Sequence, residues 1–112
     1  MAKGSPDFER RRERWRRFFR ENPRFNREFR RFALKAVASG HPKLSAWLIV
    51  NRVRWETDVV QRGETYAVPN MMIAFYARWF MQEYPHLKGF FTIRRMVGEP
   101  EEDFRVLTGA DE

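Results

Sequence analysis

Between residues 6 and 36, large aromatic side chains recur mostly at intervals near one or two helical turns within a run of arginines. Phe8, Trp15, Phe18, Phe19, Phe25, Phe29 and Phe32 form the aromatic set, with arginines filling most gaps between them. A near-3.6-residue period, apolar on one side and cationic on the other, predicts helices that share an aromatic core and keep their arginines in water. Ser5-Pro6 offers a capping hydroxyl before a proline suited to the first helical position, and Asp7 and Glu9 fall in the first turn, where anions are favoured. At 100° per residue Phe8, Trp15 and Phe19 lie within about 40° of one another, with Phe18 at the edge. Arg10, Arg14, Arg17 and Arg20 point the other way, and Arg11 and Arg12 flank the stripe, where their stems can pack and their heads escape.

Asn22-Pro23 closes this helix and opens a second, from about 23 to 39. Phe25, Phe29, Phe32 and Ala36 form its apolar face, and Arg27, Arg30, Arg31 and Lys35 its basic one. Gly40 suits the position just past the helix end, and His41-Pro42 turns the chain.

The charge distribution follows this pattern. Residues 1–35 carry 13 Lys and Arg against 5 Asp and Glu; the other 77 residues carry 9 against 10, leaving +7 in all. Such a concentration of cations favours a polyanion or an acidic protein surface as partner. The chain has no cysteine, which excludes disulfides and thiol chemistry and fits a reducing cytosol. No apolar run reaches the roughly 18 residues that span a bilayer, and the N-terminus lacks the apolar stretch of a signal peptide, so integral membrane association is not expected.

Beyond residue 40 the sequence predicts a third helix over 45–56. It is apolar nearly all round and therefore read as central, with Trp47 and Trp55 in the core. Residues 58–68 read as a short β-hairpin turning near Gly63. A fourth helix, 71–84, follows with Asn70 as its cap; Tyr76, Trp79 and Phe80 are core candidates. Phe90 to Arg94 reads as a short strand, and the tail from Glu99 as acidic and loose, with Glu101-Glu102-Asp103 placed to fold back on the arginines. Arg52, Arg54 and Arg78 sit in apolar helices and need partners, which Glu56, Asp58 and Glu83 are placed to supply. The expected fold class is mainly α (α+β): one compact helical domain over 1–98 with a small hairpin, and a tail over 99–112. Three helices and a hairpin are also compatible with a winged-helix-like arrangement, its wing tip at Gln61-Arg62-Gly63-Glu64, although the helix before that tip is too apolar to read base edges well.

Two resemblances bear on function. Arg10-Arg11-Arg12-Glu13-Arg14, continuing to Arg16-Arg17, resembles the arginine-rich RNA-binding helix of lambdoid phage antitermination N proteins. Lys43-Leu44-Ser45-Ala46-Trp47, Asn51-Arg52-Val53-Arg54-Trp55-Glu56-Thr57, Tyr76-Ala77-Arg78-Trp79-Phe80-Met81 and Lys88-Gly89-Phe90-Phe91-Thr92-Ile93-Arg94-Arg95 together resemble a group of small, uncharacterised bacteriophage and prophage proteins over residues 40 to 96. This second likeness implies a protein of the bacterial host cytoplasm and carries no activity with it.

His41 and His86 each adjoin a proline and lack a second ligand at i+3 or i+4; there is no nucleophile elbow and no glycine-rich phosphate loop. Neither an enzyme nor a cofactor or metal is expected. The expected function is non-catalytic binding of DNA or RNA through Arg10, Arg11, Arg14, Arg17, Arg20, Arg27, Arg30, Arg31 and Lys35, by phosphate neutralisation and counterion release. Exposed aromatics at Trp15 or Phe18 would add base stacking. The alternatives are a phage inhibitor or adaptor docking on an acidic host protein, such as a polymerase or defence subunit, and a membrane-surface helix over 6–21.

Overall fold

The structure, a computed structural model, describes residues 5–62, 66–93, 98 and 99. Helix α1, Pro6–Glu21, starts as its sequence requires: the Ser5 hydroxyl accepts a hydrogen bond from the Phe8 backbone N–H at 3.2 Å, and Pro6 occupies the first turn. The Asn22 side chain donates to the Phe18 carbonyl at 2.8 Å as the chain turns into α2, Pro23–Ala38. The end of α2 is a Schellman motif, with Gly40 at φ 87°, the Gly40 N–H on the Val37 carbonyl and the His41 N–H on the Ala36 carbonyl.

Helix α3, Ala46–Trp55, is capped by the Ser45 hydroxyl and packs against α2. Helix α4, Asn70–Glu83, is the centre of the molecule: nine of its residues are buried, and it packs against α1 and α3. Asn70, expected as its cap, is instead its first residue, and Pro69 holds the cap position. A short 3₁₀ turn, Pro85–Leu87, leads to Phe91, whose backbone forms an isolated parallel bridge with Leu44.

The core is aromatic, and Tyr76 of α4 is its hub. Trp15, Phe18, Phe19, Phe25, Phe29 and Trp79 all lie within ring-contact distance of it. Its hydroxyl donates to the Asn26 side-chain oxygen, while the Asn26 amide donates to the Phe19 carbonyl at 2.7 Å, joining α4, α2 and α1 through one polar chain. Burial pushes the Tyr76 phenol far above its ordinary value, with Tyr66 adding to the shift, so it stays a neutral donor.

The expected hairpin over 58–68 does not form among the described residues of that segment. Residues Glu56–Val60 continue α3 as a π-helical turn, closed by the Gln61 N–H on the Glu56 carbonyl at 2.9 Å. Buried Thr57 supplies the cause, since its hydroxyl donates to the carbonyls of Val53 and Arg54, competing with the regular helical ladder. Gly63, the expected tip, lies outside the described residues, and Tyr66 returns the chain to the core against the Phe25 ring at 5.1 Å. No strand forms among the described residues: Phe90 to Ile93 contribute only the bridge at Phe91. The architecture is helical, and the described residues offer no wing to support the winged-helix-like arrangement.

Arg78 is buried with 1% of its side chain exposed, and its partner is none of the three expected. Glu99 grips it in a bidentate pair at 2.6 and 2.8 Å, and the remaining terminal nitrogen donates to the Ala74 carbonyl. Glu99, expected as the first residue of a loose tail, is therefore buried in the core. Residues 100–112, including Glu101-Glu102-Asp103, lie outside the described residues. Arg52 pairs with Glu56 at 3.6 Å as expected, whereas Arg54 bonds Asn51 and Glu83 takes Arg30.

Candidate functional site

Because α1 and α2 lay their phenylalanines and Trp15 against α4, their arginines are turned outward. The nine candidate cations then divide by what holds them. Arg14, Arg17, Arg27 and Lys35 are exposed, and their side chains make no ion pair or hydrogen bond with a described residue. Arg10 pairs with Asp7, and Arg20 with Glu13 at 3.7 Å; both pairs lie within α1 and in water, where their worth is small. Arg11 is half-buried beside the aromatic stripe. Arg12 is too, paired with Glu9 and lying 5.6 Å from the Phe8 ring centre, as its flanking position implied.

Arg30 fastens two helices together, and Arg31 is engaged within its own. Arg30 lies over the Trp79 ring at 5.1 Å and pairs with Glu83 at 2.9 Å, tying α2 to α4. Arg31 chelates Glu28 at 2.9 and 3.1 Å and lies 4.3 Å from the Phe32 ring centre. Arg52 of α3 approaches the same ring at 4.9 Å, so this phenylalanine joins two guanidiniums across the α2–α3 contact. The Arg31 hydrogen bond holds the Glu28 carboxyl below the usual carboxylate range, and Glu28 in turn raises the Arg31 guanidinium. Arg24 reaches Gln61 at the end of the π-helical turn.

The aromatic residues fall differently from the sequence expectation. Trp15 is fully buried and Phe18 half-buried, so α1 presents no exposed stacking ring. Trp47 and Trp55, expected in the core, are 56% and 54% exposed. The burial of α3 is carried by Ala46, Ile49, Val50 and Val53, a narrow stripe that needs only one side of the helix. Trp47, Asn51 and Trp55 are spaced four apart on the other side, and Leu48, Val59 and Val60 are exposed as well. The signal was present in the sequence: Asn51, Arg52 and Arg54 mark a solvent side, and the two tryptophans share it. Beside Trp47 lies an open cleft of about 340 Å³, lined also by Ile73, Ala77, Arg78 and Ile93.

His41 and His86 are exposed in turns, and no group of three metal-ligating side chains converges among the described residues. No described helix is long and apolar enough to cross a membrane. Compared with protein-family models, curated proteins and solved structures, the chain matches none.

Proposed function

We propose that the protein is a non-catalytic nucleic-acid-binding protein that grips the phosphate backbone with the outward face of α1 and α2. The observation that carries this reading is the set of exposed cations, Arg14, Arg17, Arg27 and Lys35, mounted on two helices whose opposite sides are locked into an aromatic core. Charges on a rigid scaffold need little ordering when they meet phosphates, and each phosphate neutralised releases a counterion. Arginine adds a planar fork that matches phosphate geometry. We propose the bacterial host cytoplasm as the setting of this activity, on the likeness of residues 40 to 96 to phage and prophage proteins.

The test is fluorescence anisotropy with nuclease-treated protein on duplex DNA, single-stranded DNA and hairpin RNA over a range of salt. Affinity for the duplex is expected to fall steeply with salt. Changing Arg14, Arg17, Arg27 and Lys35 together to Gln should flatten the log–log slope by roughly 3 to 4, at about 0.9 per phosphate contact. A folded variant with an unchanged slope, or no binding at low salt, overturns the reading.

A second reading, an inhibitor or adaptor docking on an acidic host protein, is favoured by the exposed Leu48, Val59 and Val60, which suit a protein surface better than a phosphate backbone. Nuclease treatment separates the two: an adaptor still retains one host protein, and a nucleic-acid binder loses its ligand.

A further inference from the structure

We propose that Trp47 and Trp55 form a base-stacking platform, and that the ligand of the basic surface is single-stranded nucleic acid. This rests on the nucleic-acid reading above and names its ligand class.

The fold buries its other two tryptophans almost completely, Trp15 at 0% and Trp79 at 3% exposed, so indoles left more than half in water are a property of this one face. Together the two indoles present roughly 200 Å² of ring surface. A separation of eight residues sets them on one side of α3, about 12 Å apart along its axis. Asn51 sits between them on the same row. Its amide spends one N–H on the Trp47 carbonyl at 2.8 Å and its oxygen accepts from Arg54 at 3.4 Å, leaving a second N–H and a lone pair for a base edge.

The surround is cationic. Arg52 and Arg54 stand on either side of Trp55 around the helix, and the shared Phe32 contact of Arg52 and Arg31 continues the basic surface of α2 directly onto α3. Glu28 and Glu56 are paired with Arg31 and Arg52, exposed Asp58 is a third acid three residues from Trp55, and Arg54 bonds the neutral Asn51. A ligand that matches this face carries anionic groups for the guanidiniums and flat faces for the indoles. Nucleic acid has both, but a duplex hides its base faces within its own stack; an unpaired strand offers them. Leu48, Val59 and Val60 widen the apolar area, and the positive surround is what favours a polyanion over an apolar protein partner here.

The experiment uses the full chain after nuclease treatment, with short oligo-dT and a duplex of equal length as probes, read by anisotropy and by intrinsic tryptophan fluorescence. Stacking quenches an indole, and Trp47 and Trp55 are the two positioned to respond. In the variant W47L/W55L, checked for folding by circular dichroism, apolar surface is kept and stacking is lost. Oligo-dT should quench the wild type, and the variant should lose the quenching and bind oligo-dT about tenfold or more weakly, since each stacked base contributes roughly 1–3 kcal/mol. Duplex affinity should stay within about twofold. If the double variant unfolds, W55L alone is read the same way. Oligo-dT binding without quenching, an equal loss on duplex and single strand, or self-association or host-protein capture that W47L/W55L abolishes overturns the platform. Arginine-dependent binding that W47L/W55L leaves unchanged removes the platform and keeps the phosphate-binding reading; binding to neither probe removes both.

Discussion

Arg78 carries the largest single liability in the core, a cation with almost no access to water. Its two bonds to Glu99 and one to the Ala74 carbonyl offset that desolvation only while all partners remain. Glu99→Ala or Arg78→Ala is expected to destabilise the fold by about 3–5 kcal/mol, because each breaks the bidentate pair and leaves the other charge buried. Replacing both together, R78M/E99L, should recover most of the loss; urea melts of the four proteins check this, and a double variant no better than the singles would mean the pair has no such coupling. Tyr76→Phe removes a hydroxyl whose partner, Asn26, is also buried, and the cost should be about 1–3 kcal/mol in the same melts. Glu28 supplies a pH dependence. Its carboxyl is held below the ordinary value of 4.5 by Arg31, so the folded state binds its proton less tightly than the unfolded state. The resulting stability is present above the unfolded value and is lost as pH falls through the folded one. Glu28→Gln should therefore flatten the fall in melting temperature on acidification below about pH 4.5, relative to the wild type.

At the scale of elements, helix ends were more legible than helix environments. Ser5-Pro6, Asn22-Pro23 and Gly40 act on backbone within one turn, so their effect survives any tertiary context, and α1 and α2 begin and end where these residues dictate. Gly40 at φ 87° is the sharpest case: Gly40→Ala meets no neighbouring atom within 4 Å, so its expected cost of roughly 1–2 kcal/mol comes from left-handed backbone alone. A thermal melt compared with Ser39→Ala as a control measures it. The π-helical turn could not be read in the same way. Asp58, Val59 and Val60 carry strand propensity, and what overrides it is a hydroxyl three-centred on two carbonyls of the preceding turn, visible only once Thr57 is buried. Likewise an apolar count over α3 gives central burial, yet a ten-residue helix fills its contacts with α2 and α4 using four small and branched side chains and turns both tryptophans out. Arg78 found Glu99 across 21 residues of sequence, a pairing that no local spacing predicts.

For the molecule as a whole, the basic composition has two jobs, and only position separates them. Every arginine on α2 looks alike in the sequence, but Arg30 and Arg31 spend their guanidiniums on Trp79, Glu83, Phe32 and Glu28, whereas the side chains of Arg27 and Lys35 face water without an ion pair or hydrogen bond to a described residue. A cation stacked on a ring and paired with a carboxylate contributes to holding helices together; a solvated one on the same helix repels its neighbours and is relieved when phosphate arrives. The two sets should thus separate in paired measurements of stability and binding. Arg30→Gln with Arg31→Gln is expected to destabilise by about 1–2 kcal/mol, lowering the melting temperature by roughly 4–8 °C per kcal/mol, with the salt slope of duplex binding little altered. Arg14→Gln with Arg17→Gln should do the reverse, leaving the melting temperature within about 2 °C while the slope flattens by roughly 2, one unit for each phosphate contact. If instead the Arg30 and Arg31 changes flatten the slope without a thermal cost, the stacked guanidiniums are themselves the contacts, and the binding face lies toward α3 rather than on the outer side of α1.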